Sequence, residues 1–87
     1  MSNSDQIRAG RAIVGWSNAE LAEHSGISVN TITRAERGEA KDATINALAA
    51  ALESAGVTFL PDDGAGPGVR FKVPKEEAEV TKSDDSA

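Results

Sequence analysis

Few side chains in this sequence are of a type and spacing that could make or break a covalent bond. The single histidine, His24, has no cysteine and no second histidine to complete a metal set, so it reads as solvent-facing. No nucleophile with an adjacent base and no acid pair is visible, so neither an enzyme nor a cofactor is expected. The segment Pro67 to Arg70 has the look of a phosphate-binding glycine loop, but it opens no helix and lacks the lysine and the serine or threonine such a loop needs. What does cluster is hydrogen-bonding capacity. Asn18, Ser28, Asn30, Thr31, Thr33, Arg34 and Arg37 fall between Ser17 and Gly38, with Lys41 just beyond. Residues 28–41 hold three bases (Arg34, Arg37, Lys41) against two acids (Glu36, Glu39), a mildly positive stretch in a chain of net charge −5. The chemistry available here is non-covalent recognition of another polar surface.

Two short helices must position these groups. Ser17 and Glu20 make an S-x-x-E capping box, in which each side chain satisfies an orphan amide at the start of a helix over about 18–24. Gly26 reaches a left-handed conformation without steric penalty, and Ser28 caps a second helix running to about Arg37, stopped by Gly38. Leu21, Ala22, Ile27 and Ile32 are the inward positions, and the small Ala22 lets the second helix cross closely. Two helices joined by a glycine-containing turn form a helix-turn-helix, whose second helix can enter the major groove of DNA.

The stretch SNAELAEHSGISVNTITRAERG resembles the helix-turn-helix of the Cro/C1 repressor family (the XRE family). The likeness rests on the capping serine, the A-x-x-x-G step at Ala22 and Gly26, Ile32, and the E-x-G ending at Glu36 and Gly38, and it extends over about 5–55. The resemblance implies a mostly α, lambda-repressor-like four-helix core. It implies base contacts from Val29, Asn30 and Arg34: Arg34 bidentate to guanine, Asn30 to adenine or a neighbouring base, and Val29 against a thymine methyl. Phosphate contacts would fall to Asn18, Ser28, Thr31, Thr33, Arg37 and Lys41, helped by helix N-termini. It also implies a structural ion pair between Arg11 and Glu36. The chain departs from the family pattern at Val29, where glutamine or arginine is common, and at Asn18, a shorter replacement for glutamine.

The other elements follow from periodicity. Ser4 or Asp5 can cap a first helix to about Val14, with Ile7, Arg11 and Val14 on one face and Ile13 beside them; Gly15 ends it. Trp16, the only tryptophan, could stack on a base, but its place just before a helix cap fits a hydrophobic staple or a lid on the core better. Asp42 can cap a fourth helix to about Ala55, whose Ile45, Leu48, Ala49 and Leu52 form one stripe. After Gly56 the period changes to two. Val57 and Phe59, then Val69, Phe71 and Val73, flank the turn-forming segment PDDGAGPG and predict a C-terminal β-hairpin over about 57–73. Lambdoid repressors end this domain with more helix, so the hairpin is a third departure. Two strands alone are marginal and must pack on the helices or join a sheet across a dimer.

Residues 74–87 carry five acids and two lysines without a sustained apolar face, and predict a disordered acidic tail following a single domain over 1–73. With 87 residues, 39% of them hydrophobic, one modest core is possible, and dimerisation would add buried surface. The absence of cysteine rules out disulfides and thiolate zinc sites, and no stretch approaches the roughly 20 apolar residues that cross a bilayer. The expectation is therefore a soluble cytoplasmic regulator, binding a pseudo-palindromic operator in double-stranded DNA as a homodimer, with polymerase or an antagonist as a possible protein partner. The alternative is a protein-binding helix-turn-helix, such as an antitoxin or antiactivator.

Overall fold

A computed structural model describes residues 3–72 of the chain. Four helices come first, α1 (Ser4–Val14), α2 (Asn18–Ser25), α3 (Val29–Glu36) and α4 (Asp42–Ser54), followed by the strands β1 (Val57–Leu60) and β2 (Gly68–Phe71). The strands pair antiparallel with Val57 opposite Phe71 and Phe59 opposite Val69, which puts these four apolar residues on one face and Leu60, opposite Gly68, on the other. Val73 and the acidic stretch 74–87 lie outside the described residues.

Two caps differ from the sequence reading. Neither Ser4 nor Asp5 caps α1. Asn3 does, its Oδ1 accepting from the Gln6 backbone N–H while Gln6 Oε1 accepts from the Asn3 N–H. This is a capping box one position earlier, set by the only glutamine able to close it. Asp42 is likewise inside α4 rather than before it; Lys41 occupies the cap position and offers no side-chain bond.

The core is formed by Ile7, Leu21, Ile32, Ala35, Ile45, Leu48, Ala49, Leu52 and Val57, all buried. Ala22, Ile27, Ile13, Val14 and Trp16 are half-buried against it, so Trp16 lies on the core, and the imidazole of the exposed His24 stacks on its ring at 4.2 Å. Burying these side chains supplies the main favourable term, at about 25 cal/mol per Å² of apolar surface removed from water.

Hairpin and helices are joined by features the periodicity did not reveal. Gly10 sits in the middle of α1, where glycine costs about 1 kcal/mol relative to alanine. A Cβ there would come within 3.3 Å of both Leu52 Cδ1 and Phe59 Cζ, so the glycine is the notch that receives the Phe59 ring of the hairpin. Gln6 is 4% exposed, and its Nε2 donates to the carbonyl oxygens of Leu60 and Gly68 at 3.0 and 2.9 Å. One amide thus tethers both strands to α1 at the end of the hairpin nearest the turn. Gln6→Leu keeps the volume and removes both this tether and the return bond of the capping box, from the Asn3 N–H to Gln6 Oε1. It is expected to cost about 1–2 kcal/mol, read as a lower Tm in calorimetry; an unchanged Tm would show the tether to be energetically idle.

Candidate nucleic-acid interface

The outward groups are held by local geometry. At α2, Ser17 Oγ accepts from the Glu20 N–H and Glu20 Oε1 accepts from the Ser17 N–H at 2.9 Å, which holds the Glu20 carboxyl below its usual range. Gly26 follows at φ +75°, its N–H bonded to the Ala22 carbonyl at 2.9 Å, and the chain reverses in three residues. Ser28 then caps α3 by accepting from the Thr31 N–H at 3.2 Å. Gly26 matters because no side chain reaches that φ cheaply, and the turn sets how α3 leaves the body.

Helix α3 rests on α1 and α2, and the hairpin rests on α1 and α4. The buried side of α3 is Ile32 and Ala35. Its other side carries Val29, Asn30, Thr33, Arg34 and Arg37, all exposed. Val29, at 44%, is the one large hydrophobic exposed among the described residues. Asn30 and Arg34 are four residues apart and share one helix face. With eight residues, α3 is about 12 Å long, comparable to the width of a DNA major groove.

A cleft of about 240 Å³ opens beside this face, lined by Thr31, Arg34, Glu39, Ala40, Lys41 and Thr44. Lys41 stands at its edge where α4 begins without a side-chain cap; the Thr44 N–H turns back to the Lys41 carbonyl at 3.0 Å, while the Asp42 and Ala43 N–H groups have no partner among the described residues. The remaining polar residues are less alike than the sequence suggests. Ser28 Oγ donates to Thr31 Oγ1 at 3.0 Å and Thr33 Oγ1 donates to the Val29 carbonyl at 3.0 Å, so these hydroxyls are engaged within α3. Asn18 is half-buried with Oδ1 turned inward and without a partner among the described residues, leaving its amide nitrogen for an outside acceptor.

Two residues here were not singled out from the sequence. Thr44 and Glu39 line the cleft from outside α3, and only the fold of the loop brings them to Arg34. Glu39 lies 3.8 Å from the Arg37 guanidinium in an exposed pair.

Arg11 and Glu36 form the support behind the face. Arg11 Nε donates to Glu36 Oε2 at 2.7 Å and Nη2 to Oε1 at 3.3 Å, a two-pronged contact with the carboxylate side chain only 10% exposed. Arg11 Nη1 also donates to the Trp16 carbonyl at 3.0 Å. The end of α3 is thereby tied both to α1 and to the α1–α2 connection.

Four helices with a capped helix-turn-helix at positions two and three, and an open polar face on the second of that pair, define a DNA-binding helix-turn-helix protein of the transcription-regulator kind. The model of the helix-turn-helix family (HTH_3, the Cro/C1 or XRE type) matches residues 7–59, more than half of the chain, and the protein belongs to that family. Among curated proteins, none matches the chain at a significant level.

Proposed function

We propose that the protein is a sequence-specific transcriptional regulator that binds a pseudo-palindromic operator as a homodimer, inserting α3 into the major groove. The observation that supports this most directly is the open outer face of α3, with Asn30 and Arg34 exposed side by side while the hairpin lies on α1 and α4. In this reading Val29, Asn30 and Arg34 meet base edges, and Asn18, Ser28, Thr31, Thr33, Arg37 and Lys41 meet phosphates. Because the Ser28 and Thr33 hydroxyls each donate their one proton within the helix, they meet a phosphate only by turning that proton outward, and Arg37 and Lys41 supply most of the charge. Residues 1–73 act as one DNA-binding unit with the acidic stretch 74–87 appended. The protein works in the cytoplasm, and control comes from its concentration, from cooperative occupancy, or from polymerase or an antagonist protein.

Footprinting on the DNA flanking its own gene tests the reading, and Arg37→Ala refines it. Losing one phosphate contact should weaken binding to all sequences alike and reduce the slope of log K against log salt by about 1. Loss of preference at a single base pair instead would make Arg37 a base reader. Failure to bind any operator selected from random DNA would overturn the proposal.

A further inference from the structure

At the end of α3 two groups of opposite charge border the same cleft without a hydrogen bond to hold either. Among the described residues the Arg34 guanidinium has no side-chain hydrogen bond and no ion pair. The Glu39 carboxylate accepts no hydrogen bond there either; its one charged contact is the Arg37 guanidinium at 3.8 Å, beyond hydrogen-bond range. The cleft of about 240 Å³ is lined besides by Thr31, Ala40, Lys41 and Thr44, so Glu39 is its one carboxylate.

The backbone fixes where that carboxylate stands. The Gly38 N–H donates to the Ala35 carbonyl at 3.0 Å and the Glu39 N–H to the Arg34 carbonyl at 2.9 Å, with Gly38 at φ +81°. This is the Schellman closure of a helix through a left-handed glycine. Residue 39 is thereby pinned to residue 34 itself.

We propose that Glu39 is the positioning residue for base reading by Arg34. On the operator, phosphate draws Arg37 away, and the freed carboxylate accepts from the edge of the Arg34 guanidinium that guanine leaves open. This rests on the assignment of Arg34 as a base contact. A bidentate contact to O6 and N7 takes two of the five N–H donors, and three remain. A carboxylate accepting from them fixes the plane of the fork through a charge-assisted bond. Arg37 is free to go, because an exposed pair at 3.8 Å holds it weakly. No other side chain of the cleft can take this part: Lys41 is a cation, and Thr31 Oγ1 already accepts from Ser28.

A carboxylate that did nothing but repel phosphate would lower affinity for every sequence, and its removal would raise all affinities. A carboxylate that also holds Arg34 supports the operator complex. Its removal then acts with opposite sign on operator and on random DNA.

Mobility shifts with the full chain at one fixed salt concentration, on a selected operator and on random DNA, read that sign. Glu39→Ala should weaken operator binding about three- to tenfold, as for one hydrogen bond lost, and strengthen binding to random DNA about two- to threefold. The base pair whose preference relaxes should be the one that Arg34→Ala relaxes. Glu39→Gln keeps an acceptor without the charge and should keep that preference. In an Arg34→Ala background, Glu39→Ala should strengthen operator binding, because repulsion alone is left to remove. Equal strengthening on both DNAs, no change on either, or relaxation at a different base pair would overturn the proposal. Failure to select any operator would sink the regulator reading and this inference with it, whereas an operator that needs Arg34 and ignores Glu39 would sink this inference alone.

Discussion

Glu36→Ala is expected to lower the Tm by roughly 10–20 °C, corresponding to about 2–3 kcal/mol for a domain of this size. The carboxylate is 10% exposed and accepts two guanidinium bonds, and its removal leaves Arg11, itself 25% exposed, with only the Trp16 carbonyl as partner. Breaking a fully buried pair from one side costs more, about 3–5 kcal/mol, and the partial access of Arg11 to water sets the lower figure. Glu39→Ala is the control. Its carboxylate is 58% exposed and 3.8 Å from Arg37, so its loss should stay within about 0.5 kcal/mol. Equal shifts in the two variants would refute the supporting role of the Arg11–Glu36 contact. The double variant Arg11→Met/Glu36→Leu should recover most of the loss, since apolar replacements leave no stranded charge. Because Glu36 ends α3, the single variant should also loosen the helix that the proposed function places in the groove.

The second large effect concerns recognition. Arg34→Ala should weaken binding to a selected operator by roughly 5- to 150-fold, the equivalent of about 1–3 kcal/mol for one bidentate base contact. The loss should be specific. Preference at one base pair of each half-site relaxes, binding to random DNA changes little, and the fold is untouched because Arg34 is exposed. A uniform loss across sequences would make Arg34 a phosphate contact, and no loss at all would move the interface away from α3. Arg34→Lys sharpens the test, because a lysine keeps the charge and gives up the planar fork.

These variants act on features that differ in how far apart along the chain their parts lie. Cap and turn signals act over two to four residues, so Ser17 with Glu20, Gly26, and Ser28 were legible one by one, as were the stripes of α1 and α4 and the change of period at Val57. The same locality explains the two cap errors. Asn3, Ser4 and Asp5 are all good capping types in a row, and only the closing partner at Gln6 chooses among them; Asp42 is a capping type too, but α4 starts one residue earlier, at a lysine that has no acceptor to offer. The Arg11–Glu36 contact spans 25 residues and has no local mark; resemblance to a family suggested it, not spacing.

Residue types and their spacing, then, determined the order of helices and strands, the helix-turn-helix, and which side of α3 is polar, because each depends on neighbours within one or two turns. The tertiary structure alone decided what Gln6 and Gly10 do, since their partners lie about fifty residues away: Leu60 and Gly68 for the amide, and Leu52 and Phe59 for the notch. It also decided which hydroxyls of α3 are already engaged, that Glu39 and Thr44 reach the cleft beside Arg34, and that the hairpin settles on α1 and α4 and leaves α3 open. Those outcomes are set by packing and hydrogen-bond satisfaction between distant segments, and such pairings leave no period in the sequence to read.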